Sequence, residues 1–133
     1  MSTVLLDTNI VSYLFKGDTR AVSYAPHLLN QELAITMMTV DELFQWTGMR
    51  NWGAVRLQQL EAMLQTYTIL PNDVETCRHW TGVRVARHNV GHPISPQDAW
   101  IAASALRYGL PLVTHNSYDF QKIPGLIIIT ENA

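Results

Sequence analysis

Four carboxylates in this 133-residue chain stand where an acid has two possible uses. Asp7 follows Val4-Leu5-Leu6, and Glu42 ends Thr39-Val40-Asp41-Glu42. Asp98 ends Ser95-Pro96-Gln97-Asp98, and Asp119 lies in Asn116-Ser117-Tyr118-Asp119-Phe120. The first use is structural, because side-chain oxygens at a helix start satisfy backbone N–H groups that lack a partner within the helix. Asp7 can cap whatever follows the apolar run. Thr39 and Glu42 have the spacing of a capping box. Ser95, Pro96 and Asp98 suit the N-cap, N1 and N3 positions, and Asn116 and Asp119 repeat the N-cap and N3 pattern. The second use is chemical. Carboxylates gathered at low dielectric repel one another, and a divalent cation relieves that repulsion. Such a cation activates water and stabilises a leaving oxygen in phosphodiester cleavage. Singly, capping accounts for Glu42, Asp98 and Asp119 and competes evenly with function at Asp7. Only their assembly at one place favours the chemical use.

Assembly depends on the elements that carry them. Thr3–Leu6, Leu33–Thr36 and Leu126–Ile129 are short, apolar and β-branched, as buried strands are. Tyr67–Leu70 and Pro111–Thr114 are weaker strand candidates. Between them, helical spacing runs over Asp98–Tyr108, Val40–Met49, Ala54–Gln65 and Asp73–His88, with shorter stretches at Asn9–Phe15 and Arg20–Leu29. Gly109 and Pro111 close the helix ending at Tyr108. Apolar strands alternating with helices imply a three-layer α/β/α sandwich with a mostly parallel central sheet. The whole chain, residues 1–133, is expected to form one such domain. These folds bind ligands at the carboxyl ends of their strands. Asp7, Glu42 and Asp119 each follow a strand, which places them at that edge. Ile101, Ala102 and Ala105 share a helix face with Asp98, so its carboxyl borders a core-facing stripe and needs a partner or an ion.

Composition narrows the classes. The single cysteine, Cys77, cannot close an internal disulfide and is expected to be a small buried apolar side chain. The N-terminus lacks a basic leader, and no apolar run approaches the roughly 20 residues of a membrane span, so the expectation is a cytoplasmic protein away from the membrane. Net charge is −2 from 11 acidic and 9 basic residues. Setting four acids aside as cation ligands leaves seven acidic against nine basic residues, a balance that permits a nucleic-acid substrate. No P-loop, dinucleotide-binding glycine pattern or nucleophile elbow is present.

The motifs occur in an order that resembles the PIN-domain nucleases, specifically the VapC-type toxins of bacterial toxin–antitoxin pairs. The carriers are Leu5-Leu6-Asp7-Thr8-Asn9, Thr39-Val40-Asp41-Glu42-Leu43, Pro93 to Ala103 around Asp98, and Leu112 to Phe120 before Pro124-Gly125-Leu126. The resemblance implies a Mg²⁺- or Mn²⁺-dependent endoribonuclease, with RNA as substrate, an antitoxin as partner and a homodimer as its assembly. Under it, Asp7 and Asp98 are the main metal ligands and Asp119 completes the site directly or through water. Glu42 binds metal or orients the attacking water. Thr8, Asn9, Thr114 and Asn116 hold the carboxylates in place. Position 116 is Asn where some relatives carry a further acid.

Other residues invite chemistry less strongly. His88 and His92 have zinc-pair spacing, but Gly91 and Pro93 oppose a helix across them, so two surface histidines are expected. Arg78, Arg84, Arg87, Lys16 and Arg50 could meet RNA phosphates, although a solvated helix face explains the first three equally well. Trp46, Trp52, Trp80 and Trp100 could stack on bases or fill a core. Two rival functions remain: a metal-dependent DNA nuclease, and a non-catalytic nucleic-acid-binding module on the same fold.

Overall fold

Five short strands, all parallel, form the centre of the molecule in a computed structural model that describes residues 2–132. They are β1 (Thr3–Leu6), β2 (Glu32–Thr36), β3 (Thr68–Leu70), β4 (Leu112–Val113) and β5 (Ile128–Ile129), in the order β3-β2-β1-β4-β5. Main-chain bonds extend the ladder past β4: Leu5 N–H meets Pro111 O, and Thr114 N–H meets Ile129 O. Parallel neighbours need crossovers, and helices supply them. These are α1 (Thr8–Lys16), α2 (Ala25–Leu28), α3 (Met37–Met49), α4 (Ala54–Leu64), α5 (Val74–Asn89) and α6 (Pro96–Tyr108). Two 3₁₀ turns, Thr19–Tyr24 and Ser117–Phe120, complete the description.

Burial divides the sheet's side chains between two cores, as strand alternation requires. Leu5, Ala34 and Leu112 face one way and pack with Val83, Ile101, Ala102 and Ala105 of α5 and α6. Val4, Leu6, Ile35 and Val113 face the other way and pack with Ile10, Val11, Leu43 and Leu60 of α1, α3 and α4. This is the expected α/β/α sandwich. The small residues of α6 let its axis approach the sheet closely, and Ile101, Ala102 and Ala105 are all buried as their shared face required.

Four local expectations are corrected. Cys77, expected to be buried, is exposed on α5, on the helix side away from the core residue Val83. The capping box at Thr39 and Glu42 does not form. Thr36 ends β2 and caps α3 directly, its Oγ1 accepting Thr39 N–H at 3.1 Å. With no loop between strand and helix, Glu42 sits in the second turn, where no cap is needed. The helix expected over Arg20–Leu29 is instead a 3₁₀ turn and the single turn of α2, with Pro26 at its N-terminal end. Finally, Asn116 lies at the start of a 3₁₀ turn but its side chain makes no cap bond. The zinc-pair reading of His88 and His92 fails as expected. Helix α5 ends at Asn89, and Gly91 turns the chain with φ of 73°. Among the described residues, no helix is long and apolar enough to cross a membrane.

Candidate active site

The sheet order reverses between β1 and β4. Chain connections leave in opposite directions there, and the carboxyl ends of the two strands open a crevice. Asp7 stands directly after β1 and Thr114 directly after β4. Their side chains meet across the gap, with Thr114 Oγ1 donating to Asp7 Oδ2 at 2.7 Å. The other Asp7 oxygen accepts Thr8 N–H at 2.8 Å, so Asp7 also caps α1. Capping and site-building therefore coincide at this residue. Thr114 Oγ1 accepts Asn116 N–H at 3.0 Å as well, which fastens the start of the Asp119 segment to the same carboxylate.

A line of hydroxyls carries the order across to α3. Thr8 Oγ1 lies 2.9 Å from Thr39 Oγ1 and donates to Glu42 Oε1 at 3.3 Å. Thr39 is fully buried. Asp98 is half-buried at N3 of α6, its N–H bonded to Ser95 Oγ at 3.1 Å. Asp119 is exposed, and its N–H bonds the Asn116 carbonyl at 3.0 Å.

Three of the acids are raised by burial and by neighbouring charge. Burial pushes the Asp7 carboxyl up to about 6, and Asp98 and Asp119 add to the rise. Burial and the charge of Asp7 push Glu42 up to about 7. Asp98 is raised by burial and then by Asp119. Buried carboxyls that raise one another in this way are relieved by a cation. Among the described residues, no three acidic, histidine or thiol side chains stand close enough to grip one ion between them. The donors near Asp7 are carboxylate and hydroxyl oxygens, the kind of donor a hard divalent cation takes.

The sequence-selected helpers divide. Thr8 and Thr114 bond acids directly. Asn116 contributes its main-chain N–H, while its side chain is exposed. Asn9 has both side-chain polar atoms buried and without a partner, so it holds no carboxylate. Such atoms are costly unless a ligand or water meets them.

Arg87 is the residue that sequence reasoning misplaced. It is 5% exposed rather than part of a solvated face. Its Nε donates to His92 O at 2.6 Å and its Nη1 to Asp119 O at 2.8 Å, and its charge opposes the rise at Asp98. An arginine in the last turn of a helix ordinarily complements the helix dipole, so position alone carried no sign of this role. On the far side, Asn132 Nδ2 donates to His115 O at 2.9 Å and Tyr24 Oη lies 2.6 Å from His115 Nδ1, which ties down the same loop.

Comparison with known proteins identifies the family and the fold. The family model described as PIN domain matches residues 4–126. Ribonuclease VapC1 of Haemophilus influenzae is 30% identical over 125 residues, covering 92% of each chain. VapBC-1 from nontypeable Haemophilus influenzae superposes with a TM-score of 0.80 at 28% identity, covering 98% of each chain. A toxin–antitoxin complex from Klebsiella pneumoniae gives a TM-score of 0.74 at 26% identity over 96% of each chain.

Proposed function

The chain belongs to the PIN-domain family, and from that premise we propose that it is a divalent-metal-dependent endoribonuclease, the toxin of a toxin–antitoxin pair. The observation that carries the reading is that Asp7, which follows β1 at the switch point, is raised to about 6 with Asp98 and Asp119 adding to the rise, while its own charge helps raise Glu42 to about 7. The ribonuclease named among its relatives supports the choice of reaction.

Asp7 and Asp98 would hold the ion, with Asp119 completing the site. Bound Mg²⁺, with Mn²⁺ as an alternative, supplies a Lewis acid that lowers the pKa of water and stabilises the leaving oxygen. Thr114 and Thr8 N–H fix both oxygens of Asp7, so its lone pairs are aimed before any ion arrives. Glu42 sits near neutrality and is half-buried, which suits it to take a proton from the attacking water.

A cognate antitoxin and a second copy of the chain are the proposed partners, on the model of the toxin–antitoxin complex to which the fold is similar. Met37, Phe44 and Ile69 leave apolar surface exposed near the edge strand β3, where a protein partner would cover it.

Single-stranded RNA and DNA oligonucleotides of one sequence, incubated with Mg²⁺, separate this reading from a DNA nuclease and from a binding module. Internal cuts in RNA are expected. Cutting of DNA alone, or binding with no cutting of either, would overturn it.

A further inference from the structure

Away from the site carboxylates, three cations gather without an ion-pair partner, the nearby Asp18 being paired with Arg20. Lys16 closes α1, Arg50 caps the C-terminal end of α3, and Arg56 lies in the first turn of α4. All three are exposed. Arg20, Arg78 and Arg107 each pair with an aspartate or glutamate, but among the described residues Lys16, Arg50 and Arg56 pair with none. They are also near one another. Lys16 is held below its usual range by partial burial and then by the charges of Arg50 and Arg56.

Aromatic rings fix the three in place. Lys16 Nζ and the Arg50 guanidinium lie 5.8 Å and 5.4 Å from the centre of the same Trp46 ring. The Arg56 guanidinium lies 4.1 Å from Trp52, which stacks on Phe15 at 5.5 Å. Trp46, Trp52 and Phe15 are half-buried and rest on the core of Leu6, Val11 and Leu43. Like charges held rigidly together without a counter-ion are repulsive in the free protein, and an anionic ligand removes that cost.

The cations are in line with the acids. Thr8, at the start of α1, bonds Glu42 of α3, and Lys16, at the end of α1, lies over Trp46, one turn further along α3. Glu42, Trp46 and Arg50 are spaced by four residues and so share one face of α3. The two helices therefore run side by side from the carboxylates to the cations, over about 12 Å for eight residues of helix.

We propose that Lys16, Arg50 and Arg56, seated on Trp46 and Trp52, form a track for the sugar–phosphate backbone of single-stranded RNA entering the acidic site. This rests on the ribonuclease reading and adds where the strand lies. Guanidinium groups suit phosphate oxygens, and the partly open indole faces accept a base without regard to its identity. An acidic protein segment would find the same charges. RNA is favoured because the cations lie on the same pair of helices as Glu42 and Thr8, about 12 Å along from the site where its backbone would be cut.

The test is the salt dependence of binding, read by fluorescence anisotropy with a labelled twelve-nucleotide RNA in chelator, where no cleavage intervenes. The protein is compared with the triple variant Lys16→Gln/Arg50→Gln/Arg56→Gln, whose changes are all at the surface. Losing three phosphate contacts should flatten the slope of log affinity against log salt by about 2. Between about 50 and about 200 mM salt, the unaltered protein should then lose roughly 16-fold more affinity than the variant. The charge-keeping variant Lys16→Arg/Arg50→Lys/Arg56→Lys should restore the slope. An unaltered slope in the first variant, or no restoration in the second, would overturn the track. So would a loss of antitoxin affinity with RNA binding unaltered, which would make the patch a protein-docking surface. Binding without cutting when Mg²⁺ is added would sink the ribonuclease reading instead and leave the track standing.

Discussion

Asp7 Oδ2 has one protein donor, the Thr114 hydroxyl, and that bond lowers a carboxyl that burial drives up to about 6. Thr114→Val keeps the shape of a fully buried residue and removes the donor. It should cost about 1–2 kcal/mol, because both Asp7 and the Asn116 N–H lose a partner. It should also move the acidic limb of the pH–rate profile for RNA cleavage upward, since Asp7 then ionises less readily, and Thr114→Ser should return it. A profile unmoved by Thr114→Val would mean that Asp7 does not need to be charged for the reaction. The candidacy of Asp7 was legible from its place after an apolar strand, where capping and function compete evenly. Its pairing with Thr114, 107 residues away, was not, because it depends on β1 and β4 being neighbours.

At the scale of elements, Arg87 fastens the end of α5 to the segment that carries Asp119. Arg87→Met should cost about 1–3 kcal/mol by leaving two carbonyls unmet, and should lower cleavage by loosening Asp119. Arg87→Lys should recover only part of either, because one ammonium lacks the fork that reaches both carbonyls. Melting temperatures and single-turnover rates of both variants check this; full recovery with lysine would show that charge alone matters there. The elements were mostly legible in the sequence, since four long helices and five strands fall where periodicity put them. The misplacements share a cause. The start of α3 was read three residues late because both Thr36 and Thr39 are good caps, and only the absence of a loop after β2 decides between them. Reading Thr39 as the cap also made Glu42 look structural, so correcting that boundary strengthens Glu42 as a site residue. Arg87 was opaque for a different reason, since its burial comes from the loop of His92 and Asp119 folding over it.

At the scale of the molecule, clustered acids make stability depend on pH and metal together. Asp7 and Glu42 hold their protons more tightly folded, near 6 and 7, than unfolded, near the ordinary carboxyl values. Between those values the folded state binds more protons, so stability in chelator falls as pH rises through that window. Metal binding runs the other way, because ligands must lose their protons first. In chelator, the part of the melting temperature owed to these groups should fall from pH 5 to pH 8. Mg²⁺ should raise the melting temperature more at pH 8 than at pH 5. Asp7→Asn keeps an acceptor for the Thr8 N–H and removes one charge from the cluster. It should stabilise the metal-free protein at pH 8 by about 1 kcal/mol and cancel much of the gain from Mg²⁺. Equal gains from Mg²⁺ at both pH values would argue that these carboxyls do not hold the ion.

The central claim is that four carboxylates, each with a plausible structural use of its own, act as one metal-dependent nuclease site. Single-turnover cleavage of an RNA oligonucleotide in Mg²⁺ by the protein and by its Asp7→Asn and Asp98→Asn variants addresses it most directly. The account expects each substitution to lower the rate by at least about a hundredfold, with the fold intact by melting temperature. RNA cleavage that persists at the original rate in both variants would contradict it.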